Sequence, residues 1–202
     1  MGKTAHTWPS WLQARDNIGR GPDGRVKLPR FVVHPPRPGD VHVLDKKMLV
    51  KLFPYLPLDY RNGLKVVELR ARVPATVGLP WGTYHGREKR IRLYSLPALE
   101  WPIQSRHESA SRVFHQFGGV VSQERGQGTV RRATPIDAAR FLFVHVFAHE
   151  LGHHFDRQYR CKWKVPSTLH GAEVSANRHV NRLNAWGIFD FVLTGDGPKS
   201  ER

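Results

Sequence analysis

The longest apolar stretch in the chain runs from Ala138 to Ala148 and is interrupted only by Arg140 and His145. Thr134 and Pro135 come just before it, and these are residue types of a helix N-cap and of a first helical position. A helix that is apolar on all sides is typical of a protein interior. The pattern therefore predicts a buried central helix that starts at Thr134.

A second helical pattern spans Gly171 to Leu183, and between Lys65 and Val73 apolar residues alternate with charged ones, as in a strand with one buried and one wet face. The same reasoning predicts a helix at 45–53, a turn at 62–63, strands at 81–85 and 90–94, a helix at 105–117, a hairpin at 120–132 and a strand or packing segment at 188–193. Because helices and strands are interspersed, we expect an α+β fold with a small mixed sheet packed beside the central helix.

The N-terminal part of the chain has a different pattern. Residues 17–40 are rich in Gly, Pro and Arg, which predicts an extended or flexible segment. We therefore predict two regions, an extended basic arm at residues 1–40 and a globular domain at residues 41–202.

His149, Glu150 and His153 form the pattern H-E-x-x-H on the central helix, which we expect to end near Tyr159. Residues four apart lie on one helical face, so both imidazoles can reach one metal ion while the glutamate lies beside it. This pattern is the signature of zinc metalloproteases, with the histidines as ligands and the glutamate as general base. A bound zinc ion would also explain why polar groups persist on so apolar a helix.

A catalytic zinc ion usually keeps three protein ligands, so a third ligand must come from elsewhere. Glu173, on the second helix and 20 residues after His153, is our first candidate. His170 and His179 flank it and remain alternatives, because histidine is the commonest metal ligand. Asn177 lies one turn beyond Glu173 and is expected to hold the outer nitrogen of a ligand histidine. Asp156 is either a similar acceptor or a surface residue paired with a neighbouring arginine.

The residues from Pro135 to Trp186 resemble the zincin metallopeptidases whose third ligand is a glutamate on the next helix. The spacing of Glu173 and Asn177, E-x-x-A-N, is most similar to the ImmA/IrrE-like peptidases. The chain departs from that pattern at His179-Val180. The resemblance implies a zincin-like fold, with His149, His153 and Glu173 as zinc ligands and Glu150 as the base. It also implies that an edge strand, either 81–85 or 90–94, binds the substrate backbone.

Together these observations predict a zinc-dependent metallopeptidase, in which a zinc-activated water hydrolyses a peptide bond of a protein or peptide substrate. The lone Cys161 has no evident base partner, so nucleophilic catalysis is not expected. One cysteine excludes internal disulfides, and no signal peptide or membrane-spanning stretch is found, which favours a cytoplasmic protein without a membrane partner.

Net charge changes this picture, because the chain carries a formal +15 with a pI near 10.6. The excess is +8 in residues 1–74, +5 in residues 75–134 and +2 in the remainder. Such a surplus indicates an acidic partner, most commonly nucleic acid, bound through the basic N-terminal half. The alternative to the enzyme is accordingly a non-catalytic basic structural or adaptor protein of a nucleoprotein or virion assembly, built on a zincin scaffold.

Overall fold

The computed structural model describes residues 27–72, 81–97, 100–103, 120–124, 128–132, 134–163, 169–184 and 189. It contains nine strands: β1 Arg30–Val33, β2 Asp40–Val41, β3 Val66–Arg70, β4 Gly82–His85, β5 Arg90–Tyr94, β6 Leu96–Pro97, β7 Glu100–Ile103, β8 Val120–Glu124 and β9 Gly128–Arg132. The α-helices are α1 Lys46–Leu52, α2 Leu58–Arg61, α3 Pro135–Arg140, α4 Ala148–Trp163 and α5 Leu169–Asn184, with a 3-10 turn at Phe53–Tyr55 and a π-helix at Phe141–Phe147. The fold is therefore mixed α/β.

The main sheet has four strands in the order β1-β3-β5-β4. Strands β1, β3 and β5 are parallel, whereas β4 is antiparallel to β5 and lies at one edge. The described residues also form a two-stranded pair, β2-β6, and a three-stranded sheet, β7-β9-β8. The predicted hairpins at 81–94 and 120–132 are thus confirmed as antiparallel strand pairs.

The sheet begins earlier in the chain than the sequence indicated. Strand β1, at residues 30–33, pairs in parallel with β3 and so belongs to the main sheet, although it falls within the segment predicted to be an arm. Its apolar residues, Phe31 to Val33, are too few to stand out from the surrounding Pro and Gly. Residues 1–26 of the predicted arm lie outside the described residues, as do the predicted helix at 105–117 and all of segment 188–193 except Phe189.

Strand β3 was predicted to have one buried apolar face and one wet charged face, and only the buried face is as predicted. Val67 and Leu69 are fully buried, as expected for the core face. On the opposite face, which was expected to be wet, Glu68 is also buried. The reason is that neighbouring arginines cover it, with Arg90 at 3.0 Å and Arg92 at 3.1 Å.

The central helix begins as predicted, since the side chain of Thr134 accepts a hydrogen bond from the backbone N–H of Asp137. The run continues through α3, the π-helix and α4 without a break, and ends at Trp163 rather than near Tyr159. Helix α5 likewise starts at Leu169, before the predicted Gly171. The predicted helix at 45–53 is confirmed as α1, capped by Asp45.

The core lies between the main sheet and this helical run. The π-helix supplies three fully buried phenylalanines, Phe141, Phe143 and Phe147. Phe147 packs against Phe53 with ring centroids 6.0 Å apart, and Phe141 meets Trp81 edge-on at 4.6 Å. Burial of each such ring contributes roughly 1.5–3 kcal/mol to stability. This packing fixes the start of α4, and with it His149, against the sheet.

Among the described residues, no helix is both long and apolar enough to cross a membrane.

Candidate metal centre

His149 and His153 lie one turn apart on α4, and both direct Nε2 toward the same point. Their Nε2 atoms are 3.0 Å apart. The sequence predicted this arrangement from the spacing alone, because residues four apart share one helical face. Both side chains are partly buried, which leaves the point between them open on one side.

Helix α5 comes close to α4 because Gly152 has no side chain. A Cβ at this position would lie 2.9 Å from Cα of Ala176 and 3.1 Å from its carbonyl oxygen. The contact between Gly152 and Ala176 therefore sets the distance between the helices. Glu173, three residues before Ala176, and Asn177, one residue after it, are thereby brought to the two histidines.

Glu173 completes a three-residue cluster, the one group of potential metal ligands found among the described residues. Its carboxylate oxygens lie 3.0 Å from Nε2 of His149 and 3.4 Å from Nε2 of His153. A tetrahedral zinc ion with bonds of about 2.0–2.1 Å holds its ligand atoms about 3.3 Å apart. The three observed separations differ from that value by only a few tenths of an ångström, so the donor set fits a zinc ion.

Asn177 orients His149, as expected from the sequence. Its Oδ1 lies 3.1 Å from Nδ1 of the histidine. Because a carbonyl oxygen only accepts hydrogen bonds, Nδ1 is the donor of this bond, and Nε2 is the nitrogen that faces the cluster. Partners of this kind are common behind the histidine ligands of metal sites, where they fix the ring and its tautomer.

Glu150 is buried beside the cluster and faces strand β4. Its carboxylate accepts a hydrogen bond from the backbone N–H of Tyr84. Burial, together with the negative charge of Glu173, raises the pKa of Glu150 to about 8, although the Tyr84 N–H opposes the shift. The carboxyl group therefore holds its proton at neutral pH as long as no cation is nearby.

Strand β4 reaches Glu150 because Gly82 leaves room for it. A Cβ there would lie 2.7 Å from Cγ1 of Val146 and 3.1 Å from Cγ of Glu150. The backbone N–H of Tyr94 donates to the carbonyl of Trp81, so the backbone groups of alternate residues, Gly82 and Tyr84, point away from β5. The outer edge of β4 thus runs alongside α4 at the candidate site.

The two other histidines of this helical run, His145 and His154, are not part of the cluster. His154 is buried, accepts from the hydroxyl of Tyr84 at Nδ1 and donates from Nε2 to the carbonyl of Asn62. His145 stacks on Phe141, and burial lowers the pKa of its imidazole to about 4. His154 fixes the side chain of Tyr84, the residue whose backbone holds Glu150.

His179, an alternative third ligand, is not part of the cluster. Its Nε2 donates to Asp156 at 3.1 Å and its Nδ1 accepts from the hydroxyl of Tyr60 at 2.6 Å. All three side chains are buried, and burial raises the pKa of Tyr60 to about 12. Asp156 is therefore neither a partner of a ligand histidine nor a surface residue paired with an arginine. The side chains of His170 and Cys161 lie outside the described residues.

Sequence reasoning missed the parts of the site that come from distant segments. Tyr84 and Gly82 touch Glu150 from a strand more than sixty residues away, and no local pattern marks either residue. Gly152 stands inside the motif, but its role follows only from its contact with Ala176. Comparison of the chain with protein-family models, with curated proteins and with solved structures gave no match.

Proposed function

We propose that the protein is a zinc-dependent metallopeptidase with a zincin-like fold, whose ligands are His149, His153 and Glu173. The observation that carries the proposal is the convergence of two Nε2 atoms, 3.0 Å apart, with the Glu173 carboxylate, beside a buried glutamate. Oε2 of Glu173 lies 3.0 Å from Nε2 of His149, and Oε1 lies 3.4 Å from Nε2 of His153. When bound there, zinc supplies the chemistry of hydrolysis, because it acidifies a bound water and polarises a carbonyl group.

Glu150 is the proton-transfer group in this proposal. A base must be ionised before it accepts a proton, and a cation held by the neighbouring histidines favours the ionised carboxylate. The backbone N–H of Tyr84 stabilises the same form and fixes its direction. Glu150 then takes a proton from the attacking water and gives it to the leaving amine.

The outer edge of β4 is the proposed binding surface for the substrate backbone. Gly82 and Tyr84 direct their peptide groups away from β5 along this edge. The N–H of Tyr84 is bound to Glu150, so the N–H of Gly82 and the carbonyl groups of the two residues are the groups with which an extended peptide can pair as an added strand. The substrate class that follows is a protein or peptide in extended conformation.

Metal content and turnover of the purified protein test the proposal. We expect close to one zinc ion per chain, its loss in Glu173→Gln, and its retention in Glu88→Gln, a control whose side chain is 49% exposed against 47% for Glu173. Glu150→Gln should retain zinc and lose peptide hydrolysis. A wild-type protein that takes up no zinc would overturn the proposal.

A second candidate, a non-catalytic basic structural or adaptor protein, is favoured by the net charge of +15. A structural metal site has no need of a base, so the buried Glu150 supports the enzyme instead. If the wild type binds zinc but Glu150→Gln changes no activity on any peptide substrate, the adaptor is the better reading. Association with nucleic acid is compatible with both.

A further inference from the structure

The two faces of the main sheet differ in chemistry. Val67 and Leu69 of β3 and Ile91 and Leu93 of β5 point into the core, and all four are buried. The opposite face carries the alternate residues of the same strands, and it is rich in arginine. Its members, by position in the register, are Arg30, Val66, Arg90 and His85 in one row, Val32, Glu68, Arg92 and Thr83 in the next, and Arg70 with Tyr94 in the third.

This face, which we call the arginine face, carries more positive than negative charge. Four arginines stand against Glu68 and the turn residue Glu88. Glu68 pairs with Arg90 and Arg92, whereas Arg70 is 4.0 Å from it and Arg30 is exposed at the start of β1. Two positive charges are thus left uncompensated.

Two of these guanidinium groups, those of Arg90 and Arg92, are held in place by Glu68 yet still reach solvent. Arg92 is fixed by Glu68 at 3.1 Å and by Nε2 of His85 at 3.0 Å. Its side chain remains 21% exposed, that of Arg90 24% and that of Arg70 40%. Burial and the nearby charge of Arg92 lower the pKa of His85, so this ring accepts from Arg92 as a neutral group. Fixed guanidinium groups lose little freedom when they bind an anion.

We propose that the arginine face binds single-stranded nucleic acid, with Arg30 and Arg70 on the phosphate backbone and Tyr94 beneath a base. Phosphodiester groups are the partner that complements a row of arginines, because guanidinium donors match their oxygens. A single strand fits better than a duplex, since only unpaired bases expose the flat surfaces on which guanidinium and phenol rings stack. The inference does not rest on the proposed hydrolytic function.

Fluorescence anisotropy of full-length protein with a labelled single-stranded oligonucleotide, in a chelator and over a range of salt, tests the proposal. Arg30→Gln with Arg70→Gln removes two exposed charges, and Glu68 keeps its two closer partners, Arg90 and Arg92. We expect the slope of log affinity against log salt to fall by about 1.4 for two lost phosphate contacts. If the affinity extrapolated to 1 M salt is unchanged, binding at 0.1 M salt weakens about 25-fold.

The matched control is Arg15→Gln with Arg20→Gln, which makes the same change of charge in the N-terminal segment. It should leave the salt slope nearly unchanged. Tyr94→Leu should weaken binding about fivefold without changing the slope, because it removes stacking but no charge.

Several results would overturn the proposal. These are an equal loss in the control pair, the absence of salt-dependent binding, tighter binding to a duplex of the same sequence, and equal competition by a polyglutamate peptide. The last would assign the face to an acidic protein. Because a chelator is present throughout, none of these results bears on the zinc site.

Discussion

Helices α4 and α5 hold two clusters of histidine and carboxylate groups. The clusters are built from the same residue types but differ in their hydrogen bonding and in their exposure to solvent. In the candidate metal centre, His149 and His153 on α4 meet Glu173 on α5, and three donor atoms surround one point. In the second cluster, Asp156 on α4 meets His179 on α5, and both ring nitrogens of the histidine are occupied. The first is partly open to solvent and the second is closed.

The two clusters show that histidine and carboxylate residues do not form a metal site by their type alone. His179 and Asp156 are as capable of binding a metal as the other three residues, but His179 donates to Asp156 and accepts from Tyr60, so both of its ring nitrogens are engaged. His149 and His153 instead direct their Nε2 atoms at each other and at the Glu173 carboxylate, around a shared centre. A cluster satisfied within the protein stabilises the fold, whereas converging unshared donors are available to a ligand.

His179→Ala should produce the largest effect on stability. It removes the donor to the buried carboxylate of Asp156, and loss of one member of a buried pair costs about 3–5 kcal/mol. Chemical denaturation should show this loss of unfolding free energy, whereas zinc binding should change little in the folded fraction. His149→Ala should have the opposite effect: it should abolish zinc binding and leave the unfolding free energy of the zinc-free protein nearly unchanged. If His179→Ala abolished zinc binding in folded protein, the two clusters would not be separate.

Stability of the zinc-free protein should depend on pH through Glu150. In the unfolded chain this group ionises near its ordinary value of 4.5, whereas in the folded protein it keeps its proton up to about 8. The folded state therefore loses stability as pH rises through this window, by about 1.4 kcal/mol per pH unit. Glu150→Gln removes the effect, so its advantage over wild type should grow by about 2–3 kcal/mol between pH 5 and pH 7. Denaturation of both proteins in a chelator measures this difference, and parallel pH curves would contradict the raised pKa of the buried Glu150.

Gly152→Ala should affect both clusters at once, because it forces a methyl group against the backbone of Ala176. We expect a loss of about 1–3 kcal/mol in unfolding free energy, the usual cost of overpacking. Separation of the helices should also move Glu173 and weaken zinc binding. Gly86→Ala is the matched control, since a Cβ there meets no atom closer than 3.5 Å. Equal behaviour of the two variants would show that the helices are not held by this contact.

Asn177→Ala should have the smallest effect and should be confined to the metal centre. Loss of the partner of a ligand histidine lowers metal affinity by about tenfold, and an exposed side chain contributes little to stability. Competition with a chromophoric zinc chelator would measure the change. A loss of stability without a change in affinity would mean that Asn177 supports helix packing rather than the ligand.

Elements with a strong local pattern were predicted well. Thr134 caps the central helix, Asp45 caps α1, and the strands at 82–85 and 90–94 pair as expected. Helix ends were less accurate, since α4 continues to Trp163 and α5 begins at Leu169. Strand β1 was missed because four residues between prolines carry too little periodicity to be recognised.

In the candidate site, too, the residues predicted correctly are those that local spacing places together, and the residues missed are those that depend on distant contacts. His149, Glu150 and His153 were identified from one helical turn, and Asn177 from its distance to Glu173. The role of Asp156 and the exclusion of His179 could not be read from spacing. Asp156 meets His179 only through the packing of α4 on α5, and His179 is held by Tyr60, which lies more than a hundred residues earlier. Tyr84 was missed for the same reason.

The sequence by itself determined the features that rest on neighbouring residues: helix starts, strand alternation and the side chains that share the face of α4. Capping and periodicity act within a few residues, so they can be read without the fold. Only the tertiary structure decided which carboxylate meets the histidines, which histidine is closed off, and which strand lies against Glu150. Those outcomes depend on contacts between distant segments, here the approach of α5 at Gly152 and of β4 at Gly82.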